Sequence, residues 1–228
     1  MLIKEMNVEF KTGEFWAIIG KNGVGKTSLM HTLAGLREYA EGKIIINGNN
    51  LDSLSVLSRA QDIAILPQMQ EASLDCTVEQ SVSYGRYPWH QNEQEKKRSL
   101  KKINDAIKAM ELSHLKDKNI EKLSGGEIRK VEIATILAQD SNTMLLDEPL
   151  NHLDIASRFK LMQLLKQLSQ NKIVIIITHD IQYVQEYCSN AILVFEDAST
   201  KIGTVNEIFT EENFQKLLGE NLLNTISL

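Results

Sequence analysis

The chain has 228 residues, 43% of them hydrophobic, which is enough for the core of one domain and excludes intrinsic disorder as its class. Its 25 basic and 30 acidic side chains give a net charge of −5, which gives no support for general nucleic-acid binding. Cys76 and Cys188 lack metal-ligand spacing and indicate a reduced, cytosolic protein. No apolar run approaches the roughly 18 residues of a membrane span, and Lys4 and Glu5 interrupt any signal peptide.

The first predicted elements lead to a glycine-rich loop. Leu2–Phe10 alternates apolar and polar residues, which predicts a half-buried strand, and a Thr-Gly pair predicts the turn after it. The apolar run Trp16–Ile19 predicts a buried strand that continues directly into Gly20. A helical run then begins at Lys26, so the loop lies between a strand and a helix N-terminus.

This loop has the pattern G-x-x-x-x-G-K-T and ends at Lys26 and Thr27. Glycines let backbone N–H groups turn toward phosphates, and the helix N-terminus adds partial positive charge. We expect Lys26 on the β- and γ-phosphates and the Thr27 hydroxyl on Mg²⁺. A glycine-rich turn before a lysine explains the loop alone, but not the strand and helix around it, so we predict a nucleoside-triphosphate site. Its residues are Gly20, Asn22, Gly23, Gly25, Lys26, Thr27 and Ser28.

Short strands follow the first helix. Gly35 is typical of a helix end, and Lys43–Ile46 predicts a strand closed by an Asn-Gly turn. Ile63–Leu66 predicts a buried strand that ends just before Gln68.

The stretch 77–120 has no strand pattern and predicts helices instead. Its apolar residues recur at helical spacing, at Leu100, Ile103, Ile107 and Met110. We therefore predict a single domain, 1–228, with a nucleotide-binding core made of 1–76 and 121–228 and a helical subdomain inserted at 77–120.

Strands and helices alternate in the remaining sequence, which is typical of an α/β protein with a parallel sheet. Ile173–Ile177 is apolar throughout, as a strand buried on both faces should be. The other predicted elements are a strand at Met144–Leu146, helices at Ile155–Leu168 and Ile181–Cys188, a strand at Ala191–Phe195 and two short helices within Asn206–Leu218.

Two carboxylates and a histidine follow these strands. Asp147 and Glu148 come at the end of one strand, where one carboxylate can hold Mg²⁺ and the other can polarise the attacking water. His179 follows Ile173–Ile177 and so lies at the same sheet edge, placed to reach a γ-phosphate. Taken alone, the acidic pair fits a cap before Pro149 and the histidine fits a structural role. Beside a phosphate loop we favour catalysis.

The run Leu123–Glu127 opens a predicted helix at Ile128–Gln139. Its serine and two glycines at a helix N-terminus form a second anion site. One nucleotide cannot easily occupy two helix N-termini that both require its γ-phosphate. A second molecule can supply the other one.

Together these motifs resemble the ATP-binding subunits of ABC transporters, over almost the whole chain and in that family's order. The resemblance implies an α/β P-loop NTPase core of the ABC type, with an inserted helical subdomain and an antiparallel β edge. The matching segments are the phosphate loop (Gly20–Thr27), the Q-loop glutamine (Gln68), the signature (Leu123–Glu127), the carboxylate strand (Thr143–Glu148), the D-loop (Asn151–Asp154) and the switch histidine (His179).

The resemblance also implies a mechanism and an assembly. ATP and Mg²⁺ are the implied cofactors, with Thr27, Gln68 and Asp147 as metal ligands. Glu148, His179 and Gln68 are the implied catalytic residues. Two chains are expected to form a head-to-tail dimer with two ATP molecules between them. Ser124, Gly125 and Gly126 of one chain would then face the γ-phosphate held by Lys26 of the other.

The segment from Cys76 to His90 carries a finer resemblance, to the "TV…V…GRYP" segment of ATPases from ferric-siderophore, haem and cobalamin importers. In that family the segment lies near the docking site of the permease, and an ordinary aromatic loop is the alternative interpretation. The resemblance implies an ATPase that powers import of a metal chelate through a separate permease and, with it, a substrate-binding protein. Such a subunit works at the cytoplasmic face of the inner or plasma membrane and has no nucleic-acid partner.

Other function classes explain less of the sequence. A soluble ABC ATPase without a permease, of the assembly-factor type, is the main alternative, and the segment 76–90 argues against it. A DNA-repair ABC protein needs a long coiled-coil insertion, which 77–120 is too short to hold. A small-molecule kinase leaves the LSGGE signature unexplained.

Several positions depart from the family pattern. The signature ends in Glu127 where glutamine is usual, and Ile128 and Arg129 replace the expected polar pair. Leu150 stands where threonine is usual, and Asn151–Asp154 reads NHLD, as in two-cassette ABC proteins that act on ribosomes. Relatives also carry an aromatic residue that stacks on adenine. Counted back from the phosphate loop, that position falls at or before the first residue, so we expect weak ATP binding and poor discrimination against GTP.

Overall fold

A computed structural model describes residues 3–68, 75–89 and 93–218. The strands are β1 (Phe15–Gly20), β2 (Ile45–Ile46), β3 (Asn49–Asn50), β4 (Ile63–Leu66), β5 (Thr143–Asp147), β6 (Ile173–Ile177), β7 (Asn190–Val194) and β8 (Thr200–Thr204). The helices are α1 (Lys26–Leu33), α2 (Val56–Asp62), α3 (Val78–Tyr84), α4 (Glu93–Ala109), α5 (Gly125–Gln139), α6 (Ile155–Ser169), α7 (Ile181–Tyr187), α8 (Val205–Ile208) and α9 (Glu211–Leu218).

Six strands form one sheet in the order β4-β5-β6-β1-β7-β8. The strands from β4 to β7 in this order run parallel, and β8 pairs antiparallel with β7 at the edge. In this register Gly20 lies opposite Val194, and Asp147 lies opposite Ile177. The parallel strands therefore deliver the phosphate loop and the residues that follow β5 and β6 to one edge of the sheet, where open α/β sheets bind ligands.

Both faces of the sheet are covered, because its central strands are continuous apolar runs. Along β1, Phe15, Ala17 and Ile19 belong to one buried cluster, and Trp16 and Ile18 belong to a second cluster on the opposite face. Helices α5, α6 and α7 contribute to the first cluster, and α1 contributes to the second. The predicted α/β architecture with an antiparallel edge is confirmed.

Helices α3, α4 and α5 pack against one another, and α5 also packs on β4. Of the apolar residues that recur at helical spacing here, Ile103, Ile107 and Met110 are buried. Leu100, the first of the series, lies in α4 as well but is 59% exposed. The inward face passes through the neighbouring Ser99 instead, whose hydroxyl accepts a hydrogen bond from buried Arg86 at 3.1 Å.

The strand predicted at the start of the chain is also wrong, since residues 3–10 form no strand. Its apolar side chains still pack against the second cluster, and the Phe10 ring meets Trp16 edge-on at 5.0 Å. The backbone of Glu5 has a φ of 39°, which interrupts an extended chain. The alternation of apolar and polar residues therefore reflects one-sided burial without the pairing that makes a strand.

The remaining differences lie in edge structure. The strand predicted at Lys43–Ile46 is shortened to β2, which pairs with β3 through a turn in which Asn47 and Gly48 have positive φ. Strand β8 was absent from the prediction, because its sequence Thr-Lys-Ile-Gly-Thr is polar and it lies at the sheet edge. The two short helices predicted near the end of the chain correspond to α8 and α9. No helix within the described ranges is long and apolar enough to span a membrane.

Candidate active site

The loop between β1 and α1 depends on its glycines. A Cβ on Gly20 would lie 2.6 Å from the Val194 carbonyl oxygen, so the close approach of β7 excludes any side chain there. Gly23 and Gly25 have φ values of 78° and 109°, in the region that strains other residues. Gly25 is the N-cap of α1 and no side chain caps that helix, which leaves its first N–H groups available to an anion.

Lys26 and Thr27 begin α1 and turn back toward the sheet. Lys26 is only 7% exposed, and its Nζ donates to the carbonyls of Gly20 at 2.8 Å and Lys21 at 2.9 Å. Burial lowers the pKa of Lys26, while the nearby Glu148 and Asp147 carboxylates oppose that shift. The Thr27 hydroxyl donates to Asp147 Oδ2 at 2.6 Å, which joins the start of α1 to the end of β5.

Glu148 directly follows β5 and is buried. Its φ of 48° turns the chain out of the strand, and its N–H donates to the Ile177 carbonyl at 3.0 Å. Burial, and then the charge of Asp147, raise the pKa of Glu148 to about 7. His179 Nε2 lies 3.0 Å from Glu148 Oε1. The pKa of His179 is lowered by burial and by the charge of Lys26.

The contact between His179 and Glu148 is close but does not meet the geometry of a hydrogen bond. Within the part of the chain that the structure describes, Glu148 Oε1 is a buried carboxylate oxygen without a hydrogen-bond partner. Burying an unpaired acceptor is costly. This oxygen can therefore accept a hydrogen bond from a donor such as water.

Most of the predicted site residues line one cleft of about 370 Å³. They are Asn22, Gly23, Gly25, Lys26, Thr27, Ser28, Gln68, Asp147, Glu148 and His179. Gly20 lines the adjoining cavity together with Asn22 and His179. The structure therefore brings together the phosphate loop and the residues that follow β4, β5 and β6.

The oxygen atoms of this cleft fit Mg²⁺. Asp147 and the Thr27 hydroxyl are the hard oxygen ligands that this ion prefers. Among the described residues, no group of three or more His, Cys, Asp or Glu side chains forms a metal cage. That also fits Mg²⁺, which keeps several waters and binds through one or two protein oxygens plus substrate phosphates.

The predicted signature residues do not line this cleft. Ser124 is the N-cap of α5, and Glu127 completes a capping box, its Oε2 accepting from the Ser124 N–H and hydroxyl, each at 2.7 Å. These hydrogen bonds lower the pKa of Glu127. A Cβ on Gly126 would lie 2.8 Å from the His152 carbonyl oxygen, whereas Gly125 has open space. The signature therefore packs against the D-loop of its own chain, and the start of α5, at Ser124 and Gly125, is exposed.

Arginines are the main residues that sequence reasoning missed. Arg129 is 3% exposed and its Nη2 donates to the carbonyls of both Asp147 and Glu148. Arg37 Nη1 donates to the Ser28 hydroxyl at 2.7 Å, beside the cleft. The sequence offered one signal: Arg129 occupies a helical position that faces the core.

The segment 76–90, of which His90 lies outside the described residues, is fixed to the end of α5. Arg86 is fully buried and donates to the Ala138 and Gln139 carbonyls at 3.0 and 3.2 Å. Trp89 Nε1 donates to the Gln139 carbonyl at 2.7 Å. These bonds hold the turn that contains Tyr87, a residue that is 74% exposed.

Comparisons with known proteins identify the family of the chain. The sequence profile described as ABC transporter matches residues 3–151. The ferric enterobactin transport ATP-binding protein FepC of Escherichia coli (strain K12) is 34% identical over 225 residues, covering 95% of this chain and 81% of FepC.

Two solved structures share the fold. One, an inward-facing metal-chelate type ABC transporter, has a TM-score of 0.79 at 26% identity and covers 94% of this chain and 81% of its own. The other, the dimeric post-hydrolysis state of the ATP-binding cassette MJ0796 bound to ADP and Pi, has a TM-score of 0.77 at 26% identity and covers 90% of each chain. With a phosphate loop, a carboxylate strand and a signature helix on one such fold, the chain belongs to the ABC transporter family and is an ABC-type ATPase.

Proposed function

We propose that the chain powers import of a metal chelate, of the iron–siderophore, haem or cobalamin type, through a separate membrane permease. Its similarity to a ferric enterobactin transport protein and to a metal-chelate type transporter supports this cargo class. The observation that carries the ATPase part is the cleft in which Lys26, the Thr27–Asp147 pair and buried Glu148 meet.

The cleft residues have separate roles in this proposal. Lys26 binds the β- and γ-phosphates and exchanges its present carbonyl acceptors for phosphate oxygens. Thr27, Asp147 and Gln68 would hold Mg²⁺, which would neutralise charge on the triphosphate. The remaining loop residues contribute backbone N–H groups and the N-terminus of α1.

Glu148 is the general base in this mechanism. A carboxylate with a pKa of about 7 accepts a proton from water more readily than an ordinary one. Its unpartnered Oε1 is free to accept a hydrogen bond from the attacking water. His179, whose Nε2 lies 3.0 Å from Glu148 Oε1, would face the γ-phosphate.

The exposed signature explains why two chains are needed. Ser124, Gly125 and Gly126 lie outside the cleft, yet they form a rigid helix N-terminus of the kind that binds anions. In a head-to-tail homodimer each signature closes the ATP site of its partner. The dimeric MJ0796 structure with ADP and Pi supports this assembly.

The permease is expected to dock where apolar side chains remain exposed beside segment 76–90. Tyr84 and Tyr87 are 54% and 74% exposed, and Val56 and Leu57 on the adjoining α2 are 74% and 42% exposed. Such side chains are typical of an interaction site. Through the permease the chain would lie at the cytoplasmic face of the inner or plasma membrane, opposite a substrate-binding protein and without nucleic acid.

Co-purification from membranes tests this function. Tagged chain extracted in mild detergent should retain a polytopic membrane protein, identified by mass spectrometry. The Tyr84→Ala/Tyr87→Ala variant should lose it, while Phe159→Ala, which removes an exposed ring from α6, should not. Recovery only from the soluble fraction, with no polytopic partner, would favour the ATPase without a permease.

A further inference from the structure

Arg129 is a buried cation that the catalytic roles above do not use. It lies in the second turn of α5, after the signature, and is 3% exposed. Burying a guanidinium costs free energy unless its donors find acceptors. The acceptors of Arg129 therefore indicate which parts of the chain it holds together.

Those acceptors are backbone carbonyls from two strand ends. Arg129 Nη2 donates to the carbonyls of Asp147 at 2.7 Å and Glu148 at 2.9 Å. Its Nη1 donates to the carbonyl of Pro67 at 3.2 Å and to Glu132 Oε2 at 2.8 Å. Pro67 follows β4 and directly precedes Gln68. One side chain on α5 therefore contacts the segment before Gln68 and the backbone of Glu148.

The Glu148 carbonyl needs such a donor because the chain leaves the sheet at this residue. Its φ of 48° is a strained conformation for a residue other than glycine, and it persists only where the surroundings hold it. Its N–H is held by the Ile177 carbonyl at 3.0 Å, and its own carbonyl is held by Arg129. These two bonds fix the peptide units on both sides of the Glu148 Cα.

Backbone carbonyls take most of the hydrogen bonds that the guanidinium makes. In the described part of the chain, three of its four hydrogen bonds go to the backbone at the ends of β4 and β5, and its Nε has no partner there. Glu132, one turn further along α5, forms an ion pair with the guanidinium at 2.8 Å. This pair lies within one helix, so it is not part of the link between α5 and the strands.

We propose that Arg129 is a positioning residue that fixes the backbone of Glu148 and of the segment before Gln68 to α5, so that the orientation of the catalytic carboxylate depends on the signature helix. This inference rests on the roles proposed for Glu148 and Gln68. In a dimer, a shift of α5 at the partner's nucleotide would reach the carboxylate through one side chain. Lysine lacks the planar fork that spans two strands, and methionine has no donor at all.

The test compares Arg129→Met, Arg129→Gln and Arg129→Lys in the full chain. Misplacing a catalytic group by about 1 Å can cost up to about 100-fold in rate. We expect kcat to fall roughly tenfold or more in the Met and Gln variants, while the Kd for ATP stays within about twofold. The Lys variant should recover part of kcat, since it keeps donors and charge at this place.

Arg59→Met is the control, because Arg59 also donates to a backbone carbonyl, that of Gly35 at 2.8 Å, and does not line the cleft. Thermal melting identifies the variants that fold. A folded Met or Gln variant with parental kcat would overturn the inference, as would a loss that appears equally in the Kd for ATP. Glu148→Gln tests the proposed role of Glu148 separately from the inference about Arg129. If this variant hydrolyses ATP at the parental rate, the role proposed for Glu148 is wrong, whatever the Arg129 variants show.

Discussion

The molecule has two helix N-termini suited to phosphate, and they differ in their surroundings. At α1, Lys26 is buried, Thr27 is hydrogen-bonded to Asp147, and carboxylates face the helix across a cleft. At α5, Ser124 and Gly125 are exposed and the hydrogen bonds close within the capping box. The first site has its chemistry in one chain. The second is capped within its own chain, and among the described residues the carboxylates and the lysine that would act on a nucleotide lie at the first site.

Removing the cation of the first site should have the largest effect. Lys26→Ala is expected to abolish ATP binding, because Lys26 is the buried cation at the phosphate loop and would contact the triphosphate from the same chain. Equilibrium binding of a fluorescent ATP analogue to the isolated chain measures this. Binding within about twofold of the parent would remove Lys26 from the site.

Blocking the second site should leave binding intact and stop turnover. Ser124→Arg places a bulky cation on an exposed helix start that does not line the Lys26 cleft. We expect the Kd for ATP of the dilute chain to stay within about twofold while steady-state hydrolysis is lost. Parental turnover in this variant would contradict a role for the signature in hydrolysis.

The fit of the signature against the D-loop predicts opposite effects at two adjacent glycines. A Cβ at Gly126 lies 2.8 Å from a backbone carbonyl, so Gly126→Ala should destabilise the chain by about 1–3 kcal/mol. Gly125 has nothing within 4 Å, so Gly125→Ala should be neutral or stabilising by up to about 1 kcal/mol, as in other helices. Urea unfolding without nucleotide compares them, and equal effects would argue against the contact.

The smallest expected effect is a pH dependence of stability that comes from Glu148. Its pKa is about 7 in the folded chain against 4.5 ordinarily, so the folded state binds an extra proton between those values. The free energy of unfolding contributed by this group therefore falls as pH rises through that window. Thermal melting should show Glu148→Gln gaining stability relative to the parent from about pH 5 to about pH 7, and no further above it. A difference in stability between the two chains that does not change with pH would mean that Glu148 has an ordinary pKa.

The sequence predicts the first site for a physical reason. Gly20, Asp147 and His179 each follow a predicted strand that is apolar throughout, and neighbouring parallel strands end at one edge of the sheet. The exposed Leu100 and the unpaired segment 3–10 could not be predicted in this way, because helical or alternating spacing does not say what packs opposite. The role of Arg129 could not be predicted, because the partners that link it to the strands are backbone carbonyls, which do not depend on residue type.

Strand β8 and the packing of helix α5 also depend on contacts between residues that are distant in sequence. The polar sequence of β8 becomes a strand only because β7 offers an edge to pair with. Helix α5 begins at the signature, yet it packs on both α3 and α4 as well as on β4. Such features depend on tertiary contacts, so local pattern alone could not identify them.

Mixing two inactive chains tests most directly whether each ATP site is shared. In a mixed head-to-tail dimer of Lys26→Ala and Ser124→Arg, one site carries both defects and the other carries neither. We predict that an equimolar mixture regains turnover, up to about a quarter of the parental rate if the sites act independently, at concentrations where the parental chain dimerises. A mixture that hydrolyses ATP no faster than either variant alone would contradict it.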